Sequence, residues 1–378
     1  MKLVVDENIE FGAEAFSGFG EVELMHGRKI TNQSLKDCDA LIVRSITRVD
    51  EKLLNGTPVK FVSTATIGTD HLDSNYLESR NIKYASAPGC NSFAVAEYVL
   101  TAISLFAHQS NFEFANKSLG VVGYGNIGKK ITRFAKSIGM KVLVNDPPLE
   151  REGYDYNFSS LKEILACDFI TLHVPMNKSG GDKTFHLFDS ENINSLKPGT
   201  VLINSSRGGV VDNSALLDRL GKYNDITAVL DVWENEPKIS GELLEKVYLG
   251  TPHIAGYSLE GKVNGTKMIY DELCKFTDKN PRWKPQLPEA DNSLISIQQK
   301  LTEADLLFDI TNKIYAIEKD SDSLKKLSSM DLQKRGENFD LLRKTYQLRR
   351  EFNNYTIAPE NLSEKQINLL KDLRFNIA

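Results

Sequence analysis

Three side chains of complementary chemistry punctuate the second half of the chain: Arg207 in SSRGG, Glu236 in WENEP and His253 in TPHIAG. Histidine titrates in the range where it can take a proton from a hydroxyl and return it. A carboxylate seventeen residues upstream can orient the imidazole and stabilise its protonated form. The planar fork of arginine can hold a carboxylate and polarise a carbonyl that forms beside it. Base, orienter and anion clamp are what removal of hydride and proton from a hydroxy acid requires. Pro237 and Pro252 stiffen the segments that carry the acid and the base.

Such residues need elements that bring them together. Apolar runs at LVVD (3–6), ALIVRS (40–45), FVSTAT (61–66) and IKYASAP (82–88) alternate with amphipathic segments, the rhythm of a parallel sheet with helices on its faces. A long helix, FAVAEYVLTAISLFAHQ, then starts at a cap, Asn91 or Ser92. A second set of strands follows at SLGVVGYG, KVLVND, DFITLHVP, TVLINSS, TAVLDVW and VYLGTPH. Their nearly continuous hydrophobicity predicts strands buried on both faces. Ligands of such sheets bind beyond the carboxyl ends of the strands, which is where Asp146, Ser205, Ser206, Arg207, Asp231, Glu236 and His253 fall. GYSLEGKVNGTKMIYDELCKF reads as one amphipathic helix and NPRWKPQLPEAD (280–291) as a linker. Beyond it the pattern predicts a strand at SLISI, charged helices at 302–328 and 335–353, a short YTIA and a final helix. The run LLRKTYQLRREF (341–352) reads as a solvated helix face rather than an arm toward a phosphate.

Residues 123–128 are GYGNIG. Preceded by a strand and followed by a helix, this is a dinucleotide loop: Gly123 for the tight turn, Gly125 for close approach of a pyrophosphate, Gly128 for helix–strand packing, with Asn126 and Ile127 opening the helix. Asp146 ends the next strand, eighteen residues on, where it can bind both ribose hydroxyls and repel a 2′-phosphate. That selects NAD over NADP.

The composition narrows the remaining classes. With 378 residues, two or three domains are expected. A net charge of −5 and no long basic run argue against nucleic-acid and membrane-surface partners. Cys38, Cys90, Cys167 and Cys274 are far apart and form no CxxC, which predicts reduced thiols, a cytoplasmic location and no metal site. MKLVVDENIE reaches an acid at Asp6, unlike a leader peptide, and no apolar run reaches the ~18–20 residues of a membrane helix.

INSSRGGVVDNSALLDRL, LDVWENEP and TPHIAG resemble the signature segments of the D-isomer-specific 2-hydroxyacid dehydrogenases, and the resemblance covers roughly residues 1–275. It implies an α/β fold: a Rossmann-type NAD-binding domain (95–254), a discontinuous flavodoxin-like substrate domain (1–94 and 255–283), and a small α+β C-terminal dimerisation domain (284–378). It makes His253 the acid/base, Glu236 its partner and Arg207 the substrate arginine. It assigns NAD contacts to Asp146, Val174 through its backbone, Ser205 to Arg207, Asp231 and Gly256. MKLVVDEN, STATIGTDHLD, APGCNSFAVAEYV, NDPP and TPHIAGYSLEGK are similar to the branch that acts on a phosphorylated four-carbon hydroxy acid. In that branch Ser45, Thr66 and Tyr257 bind substrate, and the chain forms a homodimer through its C-terminal domain.

Alternatives remain beside this reading. Arg44, at the end of ALIVRS, suits an anionic substrate, or it pairs with Asp6 or Asp39 as a structural bridge. His173 is expected to pack, and His71 to cap a helix. The loop NKSGGDKT (177–184) either covers the site or is an inert surface loop. A 3-phosphoglycerate enzyme of the same family, and a non-enzymatic NAD-sensing corepressor relative, are the rival functions. Retention of Arg207, Glu236 and His253 argues against the second.

Overall fold

The computed structural model describes residues 1–378, which pack as two units: Met1–Asn91 with Ser258–Pro288, and Ser92–Tyr257 with Glu289–Ala378. The first unit is built on five parallel strands, β1 (Lys2–Asp6), β2 (Glu21–Met25), β3 (Ala40–Val43), β4 (Phe61–Thr64) and β5 (Lys83–Ala85). Their order is β2-β1-β3-β4-β5, the flavodoxin-like order. β3 and β4 are buried along their whole length, as their unbroken apolar runs require. The helix Leu259–Phe276 returns to this unit and packs Ile269, Tyr270 and Leu273 against Leu3, Val5 and Phe61. The Ser258 hydroxyl caps it by accepting the Gly261 N–H at 2.9 Å.

The second unit carries six parallel strands: β6 (Ser118–Val122), β7 (Lys141–Asn145), β8 (Phe169–Leu172), β9 (Val201–Asn204), β10 (Thr227–Leu230) and β11 (Leu249–Gly250). They lie in the order β11-β10-β9-β8-β6-β7, so the direction of winding reverses between β6 and β8. The helix Ser92–Ser110 is buried almost all round, which explains its weak amphipathic pattern. It packs against the helix Glu303–Ile314, where Ser104 Oγ lies 3.0 Å from Thr311 Oγ1. One core therefore joins Val95, Leu100 and Phe134 to Leu306, Ile310, Phe352 and Leu370. The C-terminal segment adds β12 (Leu294–Ile295), β13 (Thr356–Ile357) and β14 (Asn376–Ile377), a small parallel sheet. Arg374 Nη1 reaches Glu97 Oε1 and Glu351 Oε2, each at 3.0 Å, and so ties the segment to the buried helix.

Several elements differ from expectation. β2 (EVELM) alternates acidic and apolar residues at a sheet edge, and only its register with β1 marks it as a strand. The helix predicted over 302–328 is two helices, Glu303–Ile314 and Ile317–Lys325. It breaks because Tyr315 turns extended, burying its ring beside Tyr98 and under Arg349. The helix predicted over 335–353 spans Leu332–Lys344 instead. Beyond Lys344 the chain leaves the helix, and Arg349 is only 8% exposed rather than on a solvated face. All four cysteines are free and buried. No helix is long and apolar enough to cross a membrane.

Candidate active site

Parallel order places the carboxyl ends of β6 to β11 along one edge of the second unit's sheet. Gly123 follows β6, Asp146 follows β7, Val174 follows β8, Ser205 to Arg207 follow β9, Asp231 follows β10 and His253 follows β11. Glu236 lies in the turn after Asp231.

His253 has φ 58°, a left-handed conformation uncommon for a side chain of its size. Its N–H donates to Asp231 O at 2.8 Å, which holds the turn. In this pose Nδ1 lies 2.7 Å from Glu236 Oε2. Glu236 Oε1 accepts the Trp233 N–H at 2.8 Å, so both carboxylate oxygens are fixed. Burial alone would raise the Glu236 carboxyl, but the His253 and Arg343 charges and the hydrogen bonds outweigh it and hold it below its ordinary range. The imidazole therefore keeps an ionised partner on Nδ1, and Nε2 is the nitrogen left for a substrate.

The loop bearing His253 is held from both sides. Asp231, 1% exposed, accepts the Thr251 hydroxyl and the Ile254 N–H on Oδ1, each at 2.7 Å, and the Ala255 N–H on Oδ2 at 2.9 Å. Burial raises this carboxyl despite those donors and the His253 charge. From the other side, Arg349 donates to the carbonyls of Ile254 at 3.1 Å, Tyr257 at 3.4 Å, Ala94 at 3.0 Å, and Ala255. Sequence reasoning missed Arg349, because its acceptors lie about a hundred or more residues away. It also missed Asn204, whose Oδ1 accepts the N–H and hydroxyl of Ser206 and whose Nδ2 donates to Arg207 O at 3.0 Å. Asn204 stood inside INSSRGG, and its position as the last residue of the strand was the available signal. Arg207 itself donates from Nη1 to Ser206 O at 2.8 Å.

The glycine loop has the features a dinucleotide phosphate needs. Gly123 has φ 94°, and a Cβ there would come within 2.5 Å of His173 O. A Cβ on Gly128 would run into Gly123 O, whereas one on Gly125 would meet nothing within 4 Å. That open face, at the start of the helix Asn126–Ser137, is room for a pyrophosphate beside the first N–H groups. Asn126 is exposed and Ile127 half-buried. Asp146 accepts the Tyr124 N–H at 2.7 Å and the Leu149 N–H at 3.1 Å, which aims its carboxylate at the loop. Val174 packs beside Gly123, and Gly256 is half-buried. The Ser205 hydroxyl is buried without a partner, a polar atom that a bound ligand could satisfy. The residues present fit NAD. His173 Nε2 lies 2.7 Å from Thr171 Oγ1, and burial lowers the imidazole to about 3, so it stays neutral.

Within the first unit, Arg44 Nε lies 3.3 Å from the buried Asp6 Oδ2, the structural bridge that was one of its two readings. Ser45 is exposed. Thr66 Oγ1 lies 2.8 Å from Thr64 Oγ1, which in turn lies 3.0 Å from His71 Nε2. His71 thus backs the Thr66 hydroxyl through Thr64. The loop 177–184 is pinned at its base by the Asn177 N–H to Thr184 Oγ1 bond at 2.7 Å, and along its length by the Arg151–Asp182 pair at 2.6 Å. In the second unit Tyr257 Oη accepts Arg343 Nη2 at 3.2 Å.

Residues 104–255 match the model of the D-isomer specific 2-hydroxyacid dehydrogenase NAD binding domain, and residues 286–373 match a domain of unknown function, DUF3410. The erythronate-4-phosphate dehydrogenase of Proteus mirabilis (strain HI4320) is 43% identical over 379 aligned residues, covering 100% of this chain and 99% of that one. The enzyme of that name from Escherichia fergusonii is 41% identical, covering 100% and 98%. Among solved structures, NAD-bound 3-phosphoglycerate dehydrogenase of Entamoeba histolytica superposes with a TM-score of 0.63 at 26% identity, over 74% of this chain and 95% of that one. D-lactate dehydrogenase of Aquifex aeolicus, complexed with NAD and lactic acid, gives 0.60 at 26% identity, over 74% and 96%.

Proposed function

Because this chain belongs to the erythronate-4-phosphate dehydrogenases, within the D-isomer-specific 2-hydroxyacid dehydrogenase family, we propose that its site oxidises 4-phospho-D-erythronate at C2. The product is (R)-3-hydroxy-2-oxo-4-phosphooxybutanoate, on the route to pyridoxine 5′-phosphate. The observation that carries the chemistry is the 2.7 Å pair of His253 Nδ1 and Glu236 Oε2 on the same sheet edge as Arg207.

NAD, when bound, supplies the hydride acceptor. Gly123, Gly125, Asn126, Ile127 and Gly128 would hold its pyrophosphate, Asp146 its adenosine ribose, and Val174, Ser205, Ser206, Asp231 and Gly256 the remainder. His253 Nε2 takes the proton of the C2 hydroxyl as that carbon becomes a carbonyl. Glu236, ionised, stabilises the imidazolium that results. Arg207 holds the C1 carboxylate and polarises the forming C2 carbonyl. Asp231 and Arg349 keep the loop under His253 fixed, so that no reorganisation is needed during the reaction. Ser45, Thr66 and Tyr257 bind substrate in this reading. Arg44 is left a minor part, because Asp6 already balances its charge.

We further infer a cytoplasmic homodimer formed through residues 284–378, with 1–94 and 255–283 as the substrate domain and 95–254 as the NAD domain. Exposed Leu294, Leu332 and Leu341 in the C-terminal segment support a surface covered by a second copy. The deciding experiment follows NADH formation with 4-phospho-D-erythronate and 3-phosphoglycerate at matched concentrations. Preference for the four-carbon acid is expected, and preference for 3-phosphoglycerate would replace the substrate while keeping the mechanism.

A further inference from the structure

Of three arginines of the C-terminal segment, Arg349 is buried and Arg335 and Arg343 are half-buried, and their donors are used very differently. Arg335 donates to the carbonyls of Leu327, Ser328, Met330 and Ile239. Arg349 donates to those of Ala94, Ile254, Ala255 and Tyr257. Both are structural cross-braces. Arg343, at the end of the helix Leu332–Lys344, donates only to Tyr257 Oη, at 3.2 Å; its Nε, like that of Arg349, is buried with no partner, but Arg343 has no carbonyls around its remaining donors. The half-buried guanidinium of Arg343 carries five N–H donors, and a buried Nε left unpaired is costly unless a ligand completes it. Tyr257 lies four residues beyond His253 on the same loop, and the charge of Arg343 is felt at Glu236.

We propose that Arg343 receives the phosphate of the substrate, so that the C-terminal segment supplies the contact that selects a phosphorylated hydroxy acid. The inference rests on the reading above, in which Arg207 takes the carboxylate of a substrate anionic at both ends. The second end needs its own cation, and a planar fork with unspent donors is suited to phosphate oxygens. Arg44 is a weaker candidate because Asp6 lies 3.3 Å from its Nε. Tyr257 Oη and the ring face beneath the guanidinium, 5.9 Å from its carbon, fix the fork. Arg343 lies within residues 286–373, the part matching the domain of unknown function, so this contact would give that domain a role in specificity.

The test compares wild type, Arg343→Met and Arg343→Lys with NAD, on 4-phospho-D-erythronate and on D-erythronate, which lacks the phosphate. Loss of a charge-assisted contact should raise KM for the phosphorylated acid by roughly 10- to 100-fold in Arg343→Met, with kcat less affected. Arg343→Lys, which keeps the charge near Glu236, should fall between, and its kcat/KM for D-erythronate should stay near wild type; in Arg343→Met kcat/KM for D-erythronate should fall far less than for the phosphorylated acid. Equal losses on both substrates, or none on the phosphorylated one, would overturn the proposal. Binding of inorganic phosphate, followed by phosphorus NMR line broadening, gives a readout independent of turnover. Wild type and Arg343→Lys should bind it and Arg343→Met should not; unchanged binding in Arg343→Met refutes the role. Absence of wild-type turnover on 4-phospho-D-erythronate would sink the proposed function, and the phosphate titration would still decide Arg343.

Discussion

Gly208→Ala adds one methyl group and touches none of the residues assigned to the chemistry. A Cβ at this position would lie 2.6 Å from Glu234 N, and closer still to the carbonyl carbon and oxygen of Trp233. All three are backbone atoms, so no side chain can swing away. Against ordinary contact near 3.4 Å, the 233–234 peptide must move by about 1 Å or more. That peptide positions Glu236, whose Oε1 accepts the Trp233 N–H and whose Oε2 meets His253. Misplacement of a catalytic group by ~1 Å costs on the order of 100-fold in rate, and overpacking costs about 1–3 kcal/mol of stability. The assay is kcat for oxidation of 4-phospho-D-erythronate, paired with the urea midpoint. Gly221→Ala is the control: its Cβ would meet nothing within 4 Å, and it lies inside the helix Asn213–Lys222. That variant should keep kcat and gain roughly 0.5–1 kcal/mol. A Gly208→Ala enzyme with wild-type kcat would refute the claim that the turn must hold Glu236 against His253.

Replacing His253 or Arg207 by Ala should lower kcat by about 10³-fold or more while the urea midpoint stays put; near wild-type turnover in either would remove it from the mechanism. Glu236→Gln deletes the charge 2.7 Å from His253 Nδ1, so the rising, acid-side limb of the kcat/KM profile for oxidation should move to lower pH by about 1–3 units, and an unmoved limb would argue against the pairing. Asp146→Ala should weaken NAD and admit NADP, and titration of both cofactors checks it. Burial would raise Asp168, but Lys197 at 2.9 Å and the Ser118 groups outweigh it and hold the carboxyl at about 2. The folded value lies below the unfolded one, so this stabilisation is present above pH ~4 and is lost as pH falls toward 2. The stability difference between wild type and Asp168→Asn, up to about 2 kcal/mol at neutral pH, should shrink as pH falls from about 4 toward 2.

The elements that hold the chemistry were legible because their signals are local. Continuous apolar runs marked β6 to β10, three spaced glycines marked the phosphate turn, and Pro237 and Pro252 flagged the segments of Glu236 and His253. What the sequence hid depends on distant partners. EVELM became β2 only because Met1–Asp6 offers it an edge. The charged stretch after Lys344 carries helix-like residues, yet it leaves the helix so that Arg349 can meet carbonyls at positions 94, 254, 255 and 257. Helical periodicity reports which face of a segment is apolar; it does not report which backbone oxygens an arginine will reach.

The clamp by Arg349 also sets an order of events during synthesis. Its partner carbonyl at Ile254 is made 95 residues earlier, which at ~5–20 residues per second is about 5–20 s before the arginine exists. In that interval the histidine loop has Asp231 beneath it and lacks the arginine that bridges its carbonyls. A nascent chain can thus assemble its parallel sheet while the loop bearing His253 still lacks its second brace, which arrives only with the appended segment.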